Sequence, residues 1–382
     1  MESTTHRISC ADSFGTFSLD GESVDLIVTS PPYPMIEMWD AGFSEFDPSI
    51  LHLIEVGNTQ EAFERMHQSL DQTWSETMRV LKPGGFACIN IGDATRSVQG
   101  EFRMYNNASR IIQSFTSLGG TSLPGIIWRK PTNSPTKFMG SGTLPSGAYV
   151  TLEHEHILIF RKGGKRIFSK DELLKRYQSS IFWEERNQWF SDVWYMKGTS
   201  QQLGGKGKRQ RSASFPIDLP MRIINMFSIY GDVILDPFGG LATTVSAAMA
   251  CGRNSIAMEI NQVLADDAFN KQFKRGWKNQ LNQTVEKRIA DHILFVDSKD
   301  ALFFRYKNDV HDLPVKTKQE RKMQLRKIKS IGKEDGCILV KYSKWSKTDI
   351  QQLRMRLEEK SDQSDPGFEN LKSYEGPSLF NN

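Results

Sequence analysis

No stretch of the chain is apolar for long enough to span a bilayer. The opening residues, Met1 to His6, are polar and lack the apolar core of a signal peptide. These two absences lead to the expectation of a cytoplasmic protein with no membrane partner. Cysteine is scarce. Cys10, Cys88, Cys251 and Cys337 lie far apart and match no metal-ligand spacing. That excludes a disulfide framework, argues against a structural zinc site, and leaves reduced, mostly buried thiols. Charge of either sign is not in large excess: the formal net charge is +4. Such a balance is compatible with nucleic acid without requiring it. The 382 residues, 38% hydrophobic and 25% charged, describe a soluble globular protein with room for one large domain plus an extension, or for two domains.

What is present is organised around Thr29-Ser30-Pro31-Pro32-Tyr33. It follows Val24-Asp25-Leu26-Ile27-Val28, an apolar run with the residues of a strand. Two successive prolines end that strand, because neither donates to a ladder and each fixes φ. The product is a stiff, carbonyl-rich turn at the carboxyl end of a buried strand, where open α/β sheets bind ligands. It offers a hydroxyl on Ser30, the carbonyls of Ser30 and Pro31, and the flat ring of Tyr33. Those parts suit a planar amine. A strand that merely ends in a Ser-Pro-Pro turn remains the alternative for this stretch alone.

A second stretch changes the balance: Val233-Ile234-Leu235-Asp236-Pro237-Phe238-Gly239-Gly240-Leu241-Ala242-Thr243-Thr244. It is a short apolar strand, an acid, a turn with paired glycines and a helix start. A third, Ser255-Ile256-Ala257-Met258-Glu259-Ile260, is a strand ending in an acid.

Together these resemble the amino-methyltransferases that act on DNA bases. TSPPY resembles their catalytic motif, and DPFGG followed by two threonines resembles their S-adenosylmethionine loop. Catalytic motif before cofactor motif is the order of the β group. Serine at position 30 resembles the cytosine-N4 enzymes, whereas adenine-N6 enzymes more often carry Asp or Asn there. The resemblance covers roughly residues 6–262. It departs from the family pattern at Leu241 and Ala242, where Ser and Gly are usual.

The resemblance implies an α/β S-adenosylmethionine-dependent methyltransferase fold. That fold has a mostly parallel seven-stranded sheet, helices on both faces and a circularly permuted order, here joined by a DNA-recognition region and a C-terminal extension. It implies the catalytic part in 1–162, a target-recognition region in 163–210, the cofactor-binding part in 211–262, and an extension, possible to read as DNA-contacting, in 263–382. The implied catalytic residues are Ser30, Pro31, Pro32 and Tyr33. The implied cofactor-binding residues are Asp12, Phe215, Pro216, Asp236, Phe238, Gly240 and Glu259. Asp236 takes the methionine amino group and Glu259 the ribose hydroxyls, while Tyr33 stacks on an everted base. Phe215 and Pro216 are carried over from a motif in which Arg211-Ser212 replace the usual His-Pro. The implied activity is site-specific methylation of cytosine N4 in double-stranded DNA. It implies a prokaryotic source and, as partner, a cognate restriction endonuclease for the same site. Adenine-N6 methylation and a non-catalytic DNA-binding protein of degenerate methyltransferase fold stand as alternatives.

The rest of the chain is read from pattern. Glu61 to Leu81 and Ala108 to Leu118 carry helical spacing. Phe86 to Asp93, Pro124 to Arg129 and His154 to Arg161 read as strands. Asp93 is expected to cap the next helix. Met35 to Asp47 is expected to be a connecting loop beside the catalytic turn, with a lid as the alternative. Lys130 and Lys137 are candidates for phosphate contacts. Glu153-His154-Glu155-His156 places two histidines on one strand face, but without a further ligand no metal site is expected. The glycine-rich basic run Leu203 to Arg211 is expected to contact DNA through Lys206, Lys208, Arg209 and Arg211. Lys316 to Lys333 is strongly basic and composed of helix-forming residues, and is read either as a solvated face or as a DNA contact.

Overall fold

The computed structural model describes residues 2–130, 140–198 and 215–363. Lys137, Lys206, Lys208, Arg209 and Arg211, the candidate phosphate contacts in two loops, lie outside the described residues.

The strands in chain order are β1 (Ser3–Cys10), β2 (Val24–Thr29), β3 (Leu81–Ile91), β4 (Ala94–Val98), β5 (Glu101–Tyr105), β6 (Gly120–Arg129), β7 (His154–Lys162), β8 (Val193–Tyr195), β9 (Val233–Asp236), β10 (Asn254–Glu259), β11 (Tyr306–Lys307), β12 (Pro314–Val315), β13 (Arg326–Glu334) and β14 (Cys337–Lys344). The α-helices are α1 (Asp40–Phe46), α2 (Ser49–Glu55), α3 (Thr59–Val80), α4 (Asn107–Ser117), α5 (Lys170–Gln178), α6 (Trp183–Trp189), α7 (Asp218–Phe227), α8 (Thr243–Cys251), α9 (Gln262–Lys271), α10 (Trp277–Asp297) and α11 (Lys347–Gln363).

Ten strands form one sheet in the order β13-β14-β1-β10-β9-β2-β3-β7-β6-β8. Strands β1, β10, β9, β2 and β3 are mutually parallel, and β7 lies antiparallel between β3 and β6. These seven contiguous strands are the expected sheet. The structure extends it to ten, with β13 and β14 at one end and β8 at the other. The order is permuted: β9 and β10 come late in the chain yet lie between β1 and β2.

Strand β2 is buried along its whole length, so its alternation cannot be seen as polar against apolar. Its faces nevertheless feed two cores. Leu26 and Val28 pack with α7 and α8 residues such as Ile224 and Val245. Ile27 packs on the opposite face with α3 and α4 residues such as Trp74 and Phe115. Helix α3 buries Phe63, Met66, Leu70, Trp74 and Met78, the periodic residues of the sequence.

Three expectations need correction. Met35 to Asp47 is not a loop: a 3-10 turn at Glu37–Trp39 leads into α1. Lys316 to Lys333 is not helical as a unit: Lys318–Lys322 is a 3-10 turn and Arg326 onward is β13, because pairing with β14 overrides the local preference. Much of its charge is already satisfied, by Arg321 on Asp309, Arg326 on Glu2 and Lys327 on Asp349. Finally, the segment 163–210 does not leave the sheet, since β8 pairs in parallel with β6. Its first helix sits far from the carboxyl edge. Arg166 pairs with Asp232, just before β9, at 2.7 Å and with Asp25, near the start of β2, at 3.5 Å. That fixes the α5 region at the amino edge.

The chain beyond residue 263 is built into the same fold. Strand β14 hydrogen-bonds antiparallel to β1, and Leu281, Val285 and Ile289 of α10 join the core that contains α8.

Candidate active site

Parallel strands bring their carboxyl ends to one edge, and the antiparallel β7 brings its first residues there. The turn after β2 and the loop after β9 therefore meet. Thr29 Oγ1 donates to Asp236 Oδ1 at 2.6 Å, joining the two strand ends directly. Ser30, Pro31 and Pro32 line one cavity of about 300 Å³ together with Asp12, Phe215, Asp236, Phe238, Gly239, Gly240 and Glu259. The two distant stretches of the sequence share a cleft.

On the β9 side, the loop is closed by short bonds. Gly239 N donates to Met258 O at 2.7 Å, and Gly240 N donates to Glu259 Oε2 at 2.9 Å. Asn261 N donates to Glu259 Oε1 at 3.0 Å. Each carboxylate oxygen of Glu259 keeps acceptor capacity, since a carboxylate offers about four sites. A Cβ on Gly239 would lie 2.9 Å from Ala257 Cβ, so this position excludes side chains. Gly240 has φ +48° and nothing within 4 Å of its missing Cβ, which leaves backbone open for a ligand. Asp236 is buried, and burial pushes its carboxyl up to about 6, against hydrogen bonds from Thr29, Thr244 and Phe238 that favour the anion.

Ala242 adopts φ 57° and ψ 41°, left-handed, at the start of α8. Alanine takes the conformation that glycine adopts freely, at a cost of roughly 1–2 kcal/mol, and its buried methyl recovers part of this. Replacement of Ala242 by Gly is therefore expected to change stability by less than about 1 kcal/mol, while Val is expected to destabilise by about 2–3 kcal/mol, because a β-branched residue resists this region. Urea unfolding of the two variants checks this.

The remaining wall comes from α1 and its neighbours. Trp39, Phe43 and Phe46 line the cleft with Phe14, and the Phe14 and Phe46 rings sit edge to face at 4.3 Å. Arg96 on β4 clamps Asp40 at 2.9 and 2.7 Å, fixing the helix in place. Asp12 accepts from Phe14 N at 2.8 Å, a turn rather than a helix cap. The Ser13 hydroxyl donates to the Pro237 carbonyl, so the first and second loops are tied together.

Two groups, an acceptor hydroxyl and a set of carboxylates around open backbone, fit a ligand with cationic and polyhydroxyl parts, and the aromatic wall fits a heterocycle.

Behind Ser30 lies a polar network. Tyr33 does not line the cavity. Its hydroxyl is 3.0 Å from Ser30 Oγ, donates to Glu155 Oε2 at 3.0 Å, and accepts from Asn90 Nδ2 at 2.9 Å. Burial first, and then Glu155, hold the Tyr33 phenol well above its ordinary range, so it stays protonated. Lys130, a candidate phosphate contact, instead pairs with Glu155. Asp93 accepts from Ala108 N at 3.0 Å and so caps α4 across the intervening β4–β5 hairpin. Among the described residues, no cluster of three His, Cys, Asp or Glu residues is arranged to hold a metal ion, and no helix is long and apolar enough to cross a membrane.

Residues 24–271 match the family of N6 and N4 methyltransferases described as DNA methylase. The chain belongs to that family. The DNA methylase is 47% identical over 328 residues to the type II methyltransferase M.MthZI of Methanothermobacter thermautotrophicus, covering 84% of this chain and 90% of that protein. It is 48% identical over 272 residues to the type II methyltransferase M.MjaI of Methanocaldococcus jannaschii, covering 68% of this chain and 89% of the relative. Among solved structures it resembles TTHA0409, a DNA modification methylase of Thermus thermophilus complexed with S-adenosyl-L-methionine, with a TM-score of 0.54 and 28% identity over 70% of this chain and 92% of that one. The PvuII DNA methyltransferase, cytosine-N4-specific, shares the fold with a TM-score of 0.51 and 17% identity over 72% of this chain and 88% of that one.

Proposed function

We propose that this DNA methylase transfers a methyl group from S-adenosyl-L-methionine to the exocyclic N4 of cytosine in double-stranded DNA, as the modification enzyme of a restriction system. The observation that carries this is the shared cleft of Ser30 and Gly240, with hydrogen-bond acceptors on one side and carboxylates around open backbone on the other. Serine rather than Asp or Asn at position 30 supports cytosine over adenine.

When bound, S-adenosyl-L-methionine supplies an electrophilic methyl group on a sulfonium. The residues around it do the positioning. Asp236 faces the amino group, and a cation there returns its carboxyl to the ionised form. Glu259 accepts from the ribose hydroxyls on the lone pairs its backbone bonds leave free. Asp12, Phe238, Phe215 and Pro216 complete the walls, and Gly240 admits the ligand against bare backbone.

The exocyclic nitrogen of cytosine is a weak nucleophile because its lone pair is delocalised into the ring. The Ser30 hydroxyl and the Pro31 carbonyl accept its two N–H groups, pyramidalise it and aim the lone pair at the methyl carbon. Positive charge builds on nitrogen, so acceptors stabilise it by the logic of an oxyanion hole with the sign reversed. Pro32 stiffens the turn, which keeps the geometry ordered before transfer. Tyr33 offers its ring face to an everted base. Lys206, Lys208, Arg209 and Arg211 supply phosphate contacts.

The test is incubation with labelled S-adenosyl-L-methionine and mixed-sequence DNA, followed by nucleoside analysis. N4-methylcytosine is expected. Label on adenine alone moves the assignment to adenine N6, and no label supports a DNA-binding protein without catalysis.

A further inference from the structure

We infer that Glu155 is a positioning residue that turns Ser30 into a hydrogen-bond acceptor and receives, through Tyr33, the proton released on methylation of the target amine. This rests on the amine-methylation reading given above.

The direction of the hydrogen bonds carries the argument. Glu155 is an acceptor, and its Oε2 takes the single hydroxyl proton of Tyr33 at 3.0 Å. Tyr33 then has no proton left to give to Ser30. The 3.0 Å contact between the two hydroxyls is therefore a donation from Ser30 to Tyr33. With its proton directed inward, Ser30 Oγ presents only lone pairs to the cleft, which is the polarity an amine N–H needs. Without the carboxylate, Tyr33 is free to donate to Ser30, and Ser30 then turns a proton toward the amine.

Three neighbours support the orientation. Asn90 donates from Nδ2 to Glu155 Oε2 at 2.7 Å and to Tyr33 at 2.9 Å, while its own Oδ1 is buried without a partner. The opposite orientation of that amide would set its carbonyl against a carboxylate. Leaving a buried acceptor unmade costs about 1–3 kcal/mol, and the anion on Glu155 offsets it through a charge-assisted bond. Lys130 balances the charge of Glu155 from the other side, with its ammonium 4.2 Å from the centre of the Trp128 ring. Gly92 makes room: a Cβ there would lie 3.0 Å from Tyr33 Cε2 and 3.3 Å from Glu155 Cγ.

The step balances as follows. The amine lone pair forms the N–C bond while the S–C bond breaks, leaving its electron pair on sulfur. The nitrogen, now cationic, gives an N–H proton to Ser30 Oγ. The Ser30 proton moves to the Tyr33 oxygen, and the Tyr33 proton moves to Glu155 Oε2. Ser30 and Tyr33 end neutral, Glu155 ends as the carboxylic acid, and Lys130 keeps its charge. Release to water after turnover restores the carboxylate.

The experiment compares the full chain with Glu155→Gln, Tyr33→Phe and the double variant. Single-turnover methyl transfer from labelled S-adenosyl-L-methionine to mixed-sequence DNA is measured beside calorimetric affinity for S-adenosyl-L-methionine and the thermal midpoint. Glu155→Gln is expected to slow transfer by about 10²-fold, in the range of a general base, with affinity and midpoint close to those of the parent. Tyr33→Phe is expected to match it. The double variant is expected to be no slower than either, because members of one chain lose their effect together. Transfer by Glu155→Gln at the parent rate overturns the inference, and so does a double variant whose loss is the product of the two. A Glu155→Gln protein that loses both affinity and thermal midpoint also overturns it, in favour of a scaffolding role. A parent chain that binds S-adenosyl-L-methionine but methylates no DNA overturns the proposed function, and this inference with it.

Discussion

Acidification from pH 7 to pH 5 is expected to lower the unfolding free energy by several kcal/mol. Three histidines are buried and neutral. Burial pushes His6 down to about 3, and His67 and His311 down to about 4. Their hydrogen bonds show why the fold keeps them neutral. His6 sits between Thr4 and Ser255, His67 faces Asn107, and His311 Nδ1 faces the Trp345 carbonyl while Nε2 accepts from Leu325 N. In the unfolded chain each takes a proton near pH 6.5. Below that pH the unfolded state binds more protons than the folded state, so stability falls as pH falls, by up to about 1.4 kcal/mol per histidine per pH unit. The penalty is absent above pH 6.5 and grows until the folded-state values near 4 and 3 are reached. Asp236 acts in the opposite sense. With its carboxyl raised to about 6, the folded state binds the extra proton between pH 6 and 4, which offsets roughly one histidine. Two remain uncompensated against a total stability of roughly 5–15 kcal/mol. Urea unfolding at pH 7, 6 and 5 reads the slope. A flat profile would show that at least two of these rings are protonated in the native state.

Replacement of Ser30 by alanine is expected to cut single-turnover methyl transfer by about 10²–10³-fold, the loss seen when one preorganised hydrogen-bonding group at a charge-developing atom is removed. Affinity for S-adenosyl-L-methionine is expected to stay near that of the parent, because the cofactor side of the cleft is held by Gly239, Gly240 and Glu259. The Ser30 backbone is held by β2 rather than by its side chain, so the turn should persist. A variant within about threefold of the parent rate, too small a change for a transition-state contact, would leave the Pro31 carbonyl as the sole acceptor of consequence.

The central parallel strands could be read from the sequence because each is an apolar run ended by prolines, an acid or glycines. Their convergence on one edge follows from parallel pairing, so the shared cleft was within reach of the residues alone. The β4–β5 hairpin was not read, although a signal was present: Gln99 and Gly100 turn the chain with φ of 50° and 84°, the pair of positive values a tight hairpin needs. Glycine supplied half of that signal, but glutamine hid the other half. Helix α1 was read as loop because Gly42 and a stretch of acids and aromatics obscure its short period. The basic segment misled in the other direction, since helix-forming residues were overruled by cross-strand pairing with β14. Glu155 escaped notice as part of the site because its strand enters the sheet backwards. Only the antiparallel register, with His156 opposite Ile91, brings its start beside the catalytic turn.

Strand β14 also has a consequence for how the chain can be cut. It covers the outer side of β1, whose other side faces β10. A shortened protein ending after α9 would present β1 to solvent as a bare ladder of unpaired amides and carbonyls, a template on which further copies could stack. The last third of the described chain thus acts as a selvedge for the sheet, and the cofactor-side loop after β1 inherits its firmness from it.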